Sequence, residues 1–528
     1  MSGKVRELAK QLAIYGIGDV AVSFVNPLLL PIYVRYLSPA DYGALALLGT
    51  VEIIAKIVYR WGLDGSFMRF FYDYDNAAGR QRMASSIFFF LVAANLAALG
   101  LSLAAAPLLT RLLFDEPAYL RALQLTLLNT ALISFTFFPF HLLRMEKRAA
   151  QFSALTLARS VGTLLLRITL VVGLGFGVLG VVLADTIVTA MLLVALARWF
   201  RPLIRPVFSK AILADALRFG LPRVPHALGQ QVIAVADKLI LTAFRPLNEV
   251  GVYSIGVSFG LTQKLFLSAF EYAWAPFYYE HARAPDAARV YSTVTTYGLA
   301  VLALMTAGLS AIAADLLAVA TRDQAVHYVR GAGVVGLIAV GVFFQGIYLL
   351  TSIGLNITKN TQYYPVATTV AAATNIGLNL LLVPRFGMIG SAWANASAYA
   401  LQAALAFRFS QRVYPVTYEY RRIAIVIAAA FTAALTARAL PPMPPLTGLL
   451  VRGLAVVMVY CAVLAIAGFF RPEELRALHR LRLARSDARP GGVARVTELG
   501  GEIVAAGVEP DAEARDEADA RDAAGVRR

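Results

Sequence analysis

The sequence has one cysteine, Cys461, in 528 residues, which excludes an internal disulfide framework and redox chemistry by a thiol pair. It lies within an apolar run, where a small core residue is expected. Charge is equally scarce: Asp, Glu, Lys and Arg make up 15% of the chain and apolar residues 59%, against roughly 25% and 45–50% in soluble domains. A water-soluble fold could not cover so much apolar surface. An H-E-x-x-H zinc pair, a phosphate-binding P-loop and a nucleotide-sugar domain are all missing, so neither metal-assisted hydrolysis nor ATP-driven work is expected, and no metal or cofactor.

What the chain has in abundance is length of apolar run. Segments of about 20 residues, enough to cross a ~30 Å hydrocarbon core at 1.5 Å per residue, recur from Gln11 to Phe470. They place helices near 10–33, 42–66, 84–107, 118–140, 152–174, 178–200, 213–243, 250–277, 291–318, 330–354, 364–384, 389–410, 422–439 and 448–470. The fold class is therefore all-α: a polytopic membrane protein of about fourteen transmembrane helices. The first run follows a basic start but has no A-x-A cleavage site, so a retained span is expected.

The formal net charge of +16 is spread over the loops between spans and does not form one basic domain, which points away from nucleic acid. The amino terminus and even-numbered connections hold more than twice as many Lys and Arg residues as the odd-numbered ones. The positive-inside rule then puts both termini in the cytoplasm. After Phe470 the composition changes. Arg471 to Arg485 reads as a basic juxtamembrane helix with Leu475, Leu478 and Leu481 on one face, suited to anionic lipid, and Glu509 to Ala524 as a solvated tail.

The chain also repeats itself. YLSPADYGALAL from Tyr36 matches FRPLNEVGVYSI from Phe244, each with an acid two residues before a glycine, and FGVLGVVLAD from Phe176 matches FGMIGSAWAN from Phe386. In the second match both glycines are in register and Asp185 stands opposite Asn395. Each copy holds six spans, an even number, so the repeats are parallel. They are expected to form two lobes related by an axis along the membrane normal, with a substrate cavity at their interface. The expected organisation is 1–205 and 206–415 as six-helix lobes, 416–470 as two additional helices, and 471–528 as a largely disordered cytoplasmic tail.

NIGLNLLLVPRFGMIGSAWAN, from Asn375 to Asn395, and YLSPADYG near the start resemble bacterial polysaccharide exporters of the multidrug/oligosaccharidyl-lipid/polysaccharide (MOP) superfamily, over residues 1 to about 470. The resemblance implies a MATE-like fold with two added C-terminal helices, in a bacterial inner membrane. It implies a flippase, not an enzyme, that moves undecaprenyl-pyrophosphate-linked oligosaccharides to the outer leaflet by alternating access. Membrane lipids and a polysaccharide polymerase and chain-length regulator are the partners implied. A cation-coupled multidrug antiporter of the same superfamily is the alternative, against which the intramembrane Lys and Arg residues argue. A membrane-embedded sugar polymerase or ligase fits less well, because the outer connections are short.

Ionisable groups at mid-membrane cost about 3 kcal/mol or more and face a cavity or a partner. Glu52, Lys56, Arg60 and Asp64 follow one another four apart, as one helix face. Lys264 stands at the same displacement from Lys56 as Phe244 from Tyr36, so each lobe offers an ammonium to a diphosphate, or pairs it with Glu52 or Glu271. Arg159 and Arg167 share a face further along; Arg159 is also placed to snorkel, as is Arg60. Arg218, Arg223 and His226 flank Pro222 and Pro225, whose missing donors predict a bent or broken helix and a hinge, with Arg223 the better-placed anion ligand. Asp19, near Asn26 and Pro27, suits ion coupling or a salt bridge to Lys56 or Lys264. Asp237 and Lys238 read as a local pair.

Overall fold

The computed structural model describes residues 33–471 except 34, 72, 75, 115, 116, 147, 222, 283, 359 and 361. The expected first span, with Asp19, and the tail beyond Arg471 lie outside the described residues. No strand occurs among the described residues. Among them, ten helices are long and apolar enough to cross a membrane, or eleven if a helix pair bent by 43° after Gly260 is counted as one span. This is a multi-pass membrane protein.

The motif YLSPADYG is a helix start. Ser38 caps α1 (Pro39–Arg60): the Asp41 amide donates to Ser38 Oγ over 3.1 Å, the Ser38 amide donates to Asp41 Oδ2 over 3.0 Å, and Pro39 fills the first turn, where no donor is needed. The Tyr119 hydroxyl donates to the other Asp41 oxygen at 3.0 Å, tying the cap to the start of a second helix. In the repeated motif, Glu249 opens Leu247–Gly260 and accepts the Met388 amide at 2.8 Å. Both motif acids are thus anchors of helix ends.

The motif glycines account for the rest of its conservation between copies. A Cβ on Gly43 would stand 2.2 Å from the Leu247 carbonyl oxygen, and one on Gly251 only 1.8 Å from that of Pro39. Pro39 and Leu247 are equivalent under the repeat, as are Gly43 and Gly251, so the two copies of the motif cross each other reciprocally. Such an exchange of equivalent contacts is what a twofold relation produces.

After α1 come α2 (Leu63–Phe70), α3 (Ala77–Phe114), α4 (Leu120–Ile133), α5 (Phe137–Met145), α6 (Ala149–Ile168) and α7 (Gly177–Phe200). The expected span at 213–243 is two helices, α8 (Lys210–Gly220) and α9 (Arg223–Phe244). α10 (Leu247–Gly260) and α11 (Gln263–His281) form the bent pair, followed by α12 (Ala287–Thr321) and α13 (Ala332–Thr351). Tyr363–Val413 is two helices joined across Gly387, whose φ of 55° and ψ of −135° are open to glycine. Across that junction Ser391 donates to Asn379 Oδ1 at 2.8 Å and Asn379 to the Asn375 carbonyl at 2.9 Å. The polar residues of the NIGLNLLLVPRFGMIGSAWAN motif therefore lock a hairpin.

By internal contacts the chain forms two compact units. One holds the described residues up to Gly256, with Leu317–Gly331 and Asn375–Ala394; the other holds Val257–Leu316, Ala332–Thr374 and the described residues from Asn395. In the first, Phe67, Phe137, Phe138, Met83 and Leu91 build an aromatic-rich core. In the second, α14 (Tyr420–Ala439) and α15 (Pro445–Ile466) pack on Ala300, Ala303, Ala307 and Ala311 of α12. The small residues let the backbones approach closely, as membrane helices require.

The last helix pair is held by buried charge. Arg452 pairs with Asp315 of α12 at 2.5 Å, and Arg422 with Glu419 at 2.9 Å, with Arg471 on the other oxygen of Glu419. Cys461, expected in the core, is exposed. Only the Val456–Tyr460–Leu464 face of α15 is packed, and Cys461 lies off it.

Candidate functional site

The charged stripe on the first described span is divided by a helix break. α1 ends at Arg60; Trp61 and Gly62 take left-handed conformations, with φ of 53° and 68°, and Asp64 belongs to α2. The expected continuous span at 42–66 fails here because Gly62 meets α8: a Cβ on it would lie 2.2 Å from the Gly220 carbonyl oxygen. Ser66 donates to the neighbouring Ala216 carbonyl at 2.7 Å and fixes the crossing. A left-handed tryptophan persists only where its surroundings hold it; its indole edge packs on Phe90, with ring centroids 5.8 Å apart.

The break opens a cleft of about 500 Å³, lined by Ile53, Lys56, Ile57, Arg60, Asp64 and Gln231. Arg60 reaches Asp64 only over 3.4 Å, and its buried Nε has no hydrogen-bond partner among the described residues. Lys56 makes no ion pair within 4.0 Å among the described residues, although Glu52 is one turn away and within electrostatic reach. Both cations therefore present unspent donors to the cleft.

Behind them the charges continue. Glu52 is within electrostatic reach of Lys56, Arg159, Arg167 and Asp185, and Arg159 of Glu52, Asp185 and Arg60. These groups, with Asp64, make one network of four cations and three anions. Within it Arg167 is committed: Nε and a terminal nitrogen donate to the two oxygens of Asp185 at 2.8 and 2.6 Å, a bidentate fork. Sequence reasoning named Arg167 without this partner. The signal was available, since Arg167 and Asp185 are equidistant from Phe176 at the turn of a helical hairpin. The second copy carries Gly377 and Asn395 at the corresponding places, so cation and anion are exchanged together.

In the second unit, Lys264 and Glu271 are both exposed on α11, with no ion pair between them or with other described residues. Glu271 lines a smaller cleft with Tyr278, Tyr348, Ser352, Asn356 and Tyr364. None of these polar and aromatic residues was singled out from sequence, where an aromatic on a membrane helix reads as packing. Asp237, read as pairing with Lys238, is buried and accepts instead from the Tyr253 hydroxyl at 2.6 Å and the Lys238 amide at 2.8 Å. Pro222 and the side chains of Arg223, Pro225 and His226 lie outside the described residues.

The described residues thus hold a broken, charge-lined helix beside a cleft within a polytopic helical membrane protein. The fold is like that of solved MurJ and MATE structures. The lipid II flippase MurJ, in an inward closed conformation, matches with a TM-score of 0.66 and 14% identity over 86% of this chain and 98% of that one. An inward-facing multidrug resistance MATE family transporter of the MOP superfamily matches with a TM-score of 0.59 and 17% identity, over 78% and 98%. Residues 32–270 match the model of a polysaccharide biosynthesis protein family. No curated protein matches. The resemblance to polysaccharide exporters of this superfamily, read from the motifs at Tyr36 and Asn375, is borne out.

Proposed function

We propose that this chain is a flippase, not an enzyme, that carries undecaprenyl-pyrophosphate-linked oligosaccharide repeat units from the cytoplasmic to the outer leaflet of a bacterial inner membrane, for surface polysaccharide synthesis. The observation that carries the reading is the cleft at the α1 break, where Lys56 without an ion pair among the described residues and Arg60 with an unused Nε stand in a stretch matching a polysaccharide biosynthesis family. A half-buried site with an excess of cations is matched to a diphosphate and mismatched to a cationic drug.

In this reading Lys56 and Arg60 hold the pyrophosphate. Arg159, Arg223 and Lys264 serve as further cationic contacts, and Arg167 is released from Asp185 or acts through it. Asp19, Glu52 and Glu271 supply ion coupling or charge balance, and Pro222 and Pro225 a hinge. The repeats at 1–205 and 206–415 act as the alternating lobes, both termini are cytoplasmic, and a polymerase and chain-length regulator receive the product.

Deletion of the gene should cause the lipid-linked precursor to accumulate on the cytoplasmic leaflet. A stably expressed Lys56→Ala/Lys264→Ala variant should fail to relieve that accumulation. Normal surface polysaccharide in the deletion strain, with no paralogue present, would refute the reading.

A further inference from the structure

The cleft of the second unit has a chemistry different from that of the cationic one. It holds about 260 Å³, below the roughly 300–1,000 Å³ of drug-sized ligand pockets and of a size for one sugar ring. Two of its walls are aromatic: the half-buried rings of Tyr348 and Tyr364 stand edge to face, with centroids 6.0 Å apart. The remaining lining combines Trp274 and Leu349 with polar groups from Asn356, Ser352, the Tyr278 hydroxyl and the Glu271 carboxylate.

The polar groups are fixed but not used up. Asn356 donates through Nδ2 to the Tyr278 hydroxyl at 3.1 Å, which leaves its carbonyl oxygen as an acceptor. Tyr364 donates to the Ser352 carbonyl at 3.1 Å, which sets its ring plane. Glu271 is exposed and unpaired among the described residues, and the Tyr348 hydroxyl makes no hydrogen bond among them. Below lies a rigid floor: Trp274 is buried against Tyr278 and Tyr291, with ring centroids 5.9 Å away in each case.

We propose that this cleft is a sugar-ring subsite, with Tyr348 and Tyr364 as stacking walls and Asn356 and Glu271 as acceptors for sugar hydroxyls. A pyranose has an apolar C–H face and a rim of hydroxyls, and it meets both needs at once: the face covers aromatic surface and the rim satisfies the acceptors that water must otherwise fill. The inference rests on the reading of this chain as a carrier of lipid-linked glycan and adds where a sugar of that glycan is read. A cationic amphiphile would also accept aromatic walls and a carboxylate. It would leave the Asn356 carbonyl and the Tyr348 hydroxyl without partners, which favours the sugar.

The test uses the full-length protein in nanodiscs and two probes: the lipid-linked oligosaccharide extracted from cells lacking this protein, and undecaprenyl pyrophosphate without sugar. Wild type should bind the glycan-bearing lipid about tenfold more tightly, a difference of ~1.4 kcal/mol. Tyr348→Ala and Asn356→Leu, which removes the acceptor oxygen at similar volume, should remove most of that preference while leaving affinity for the bare pyrophosphate lipid unchanged, and Tyr348→Phe, which keeps the ring, should keep the preference. If Tyr348→Ala weakens both lipids equally, the loss is structural and Asn356→Leu decides by the same difference. Undiminished preference in Asn356→Leu overturns the subsite and leaves the flippase reading standing. Failure of wild type to bind either lipid, or failure of any glycan-bearing lipid to accumulate in the deletion cells, overturns both. Binding of tetraphenylphosphonium that Glu271→Gln abolishes, with no effect on the glycan lipid, assigns the cleft to cations and overturns the subsite.

Discussion

Replacing Gly43, Gly49 and Gly251 one at a time by alanine separates close helix crossing from ordinary helix propensity. Gly43 and Gly49 are on the same helix, but nothing lies within 4 Å of a Cβ at Gly49. Gly49→Ala should stabilise the protein by about 0.5–1 kcal/mol, because alanine loses less backbone entropy on entering a helix. At the crossing the same methyl group has no room. Carbon atoms of this kind essentially never come within 3.0 Å of another heavy atom, so the helices must part by about 1.2 Å at Gly251, where the added Cβ meets the Pro39 oxygen at 1.8 Å. At Gly43 the corresponding distance is 2.2 Å, and the required movement is smaller. Overpacking of this degree costs about 1–3 kcal/mol, enough to outweigh the propensity gain and reverse its sign. Equilibrium unfolding in detergent, followed by intrinsic tryptophan fluorescence, should therefore order the proteins Gly49→Ala, wild type, Gly43→Ala, Gly251→Ala, from most to least stable. Equal stability of the three variants would refute the reciprocal crossing of the two motifs.

Other substitutions probe the charges. Arg167→Gly leaves Asp185 without its bidentate partner in a low-dielectric setting and should destabilise by about 3–5 kcal/mol; the double variant Arg167→Gly/Asp185→Asn, which reproduces the second repeat's pair, should recover most of that loss in the same unfolding assay. Asp315→Ala should free Arg452 and loosen α15 from α12, seen as faster proteolysis near Pro441–Pro445 with the remainder of the chain resistant. Lys56→Ala and Arg60→Ala, at a cleft and not in the core, should each change unfolding stability by less than about 1 kcal/mol and lower transport at least tenfold, measured as precursor accumulation in complemented deletion cells. Unchanged transport by both stable variants would remove the cleft from the proposed path.

The class of fold was legible because lipid imposes one requirement over the whole chain, which composition and run length record directly. The repeated motif was equally readable, and the structure adds its reason: the glycines of the motif at Tyr36 and of its copy at Phe244 make one close crossing, each against the other's helix start. Helix continuity was less legible. Gly62 is a local signal for the end of α1, but its close approach to Gly220 on a distant segment is not, and hydropathy registers neither. Individual charges were found because they interrupt apolar runs, but their partners depend on which helices are neighbours. Arg167 was visible as a buried cation, whereas its commitment to Asp185 follows from hairpin geometry. The tyrosines and Asn356 of the second cleft went unread because their types are ordinary in a membrane helix, and only convergence from α11, α13 and the segment after it distinguishes them.

The central claim is tested most directly by leaflet exposure in proteoliposomes. Purified protein is reconstituted with the glycan-bearing lipid in both leaflets, and the fraction of glycan open to an impermeant periodate reagent is followed with time. The account predicts that exposure rises from about half of the lipid towards all of it with wild type, and stays at the protein-free level with Lys56→Ala/Arg60→Ala. The same slow exposure with wild type as in protein-free vesicles, across imposed proton, sodium and potential gradients, would contradict it.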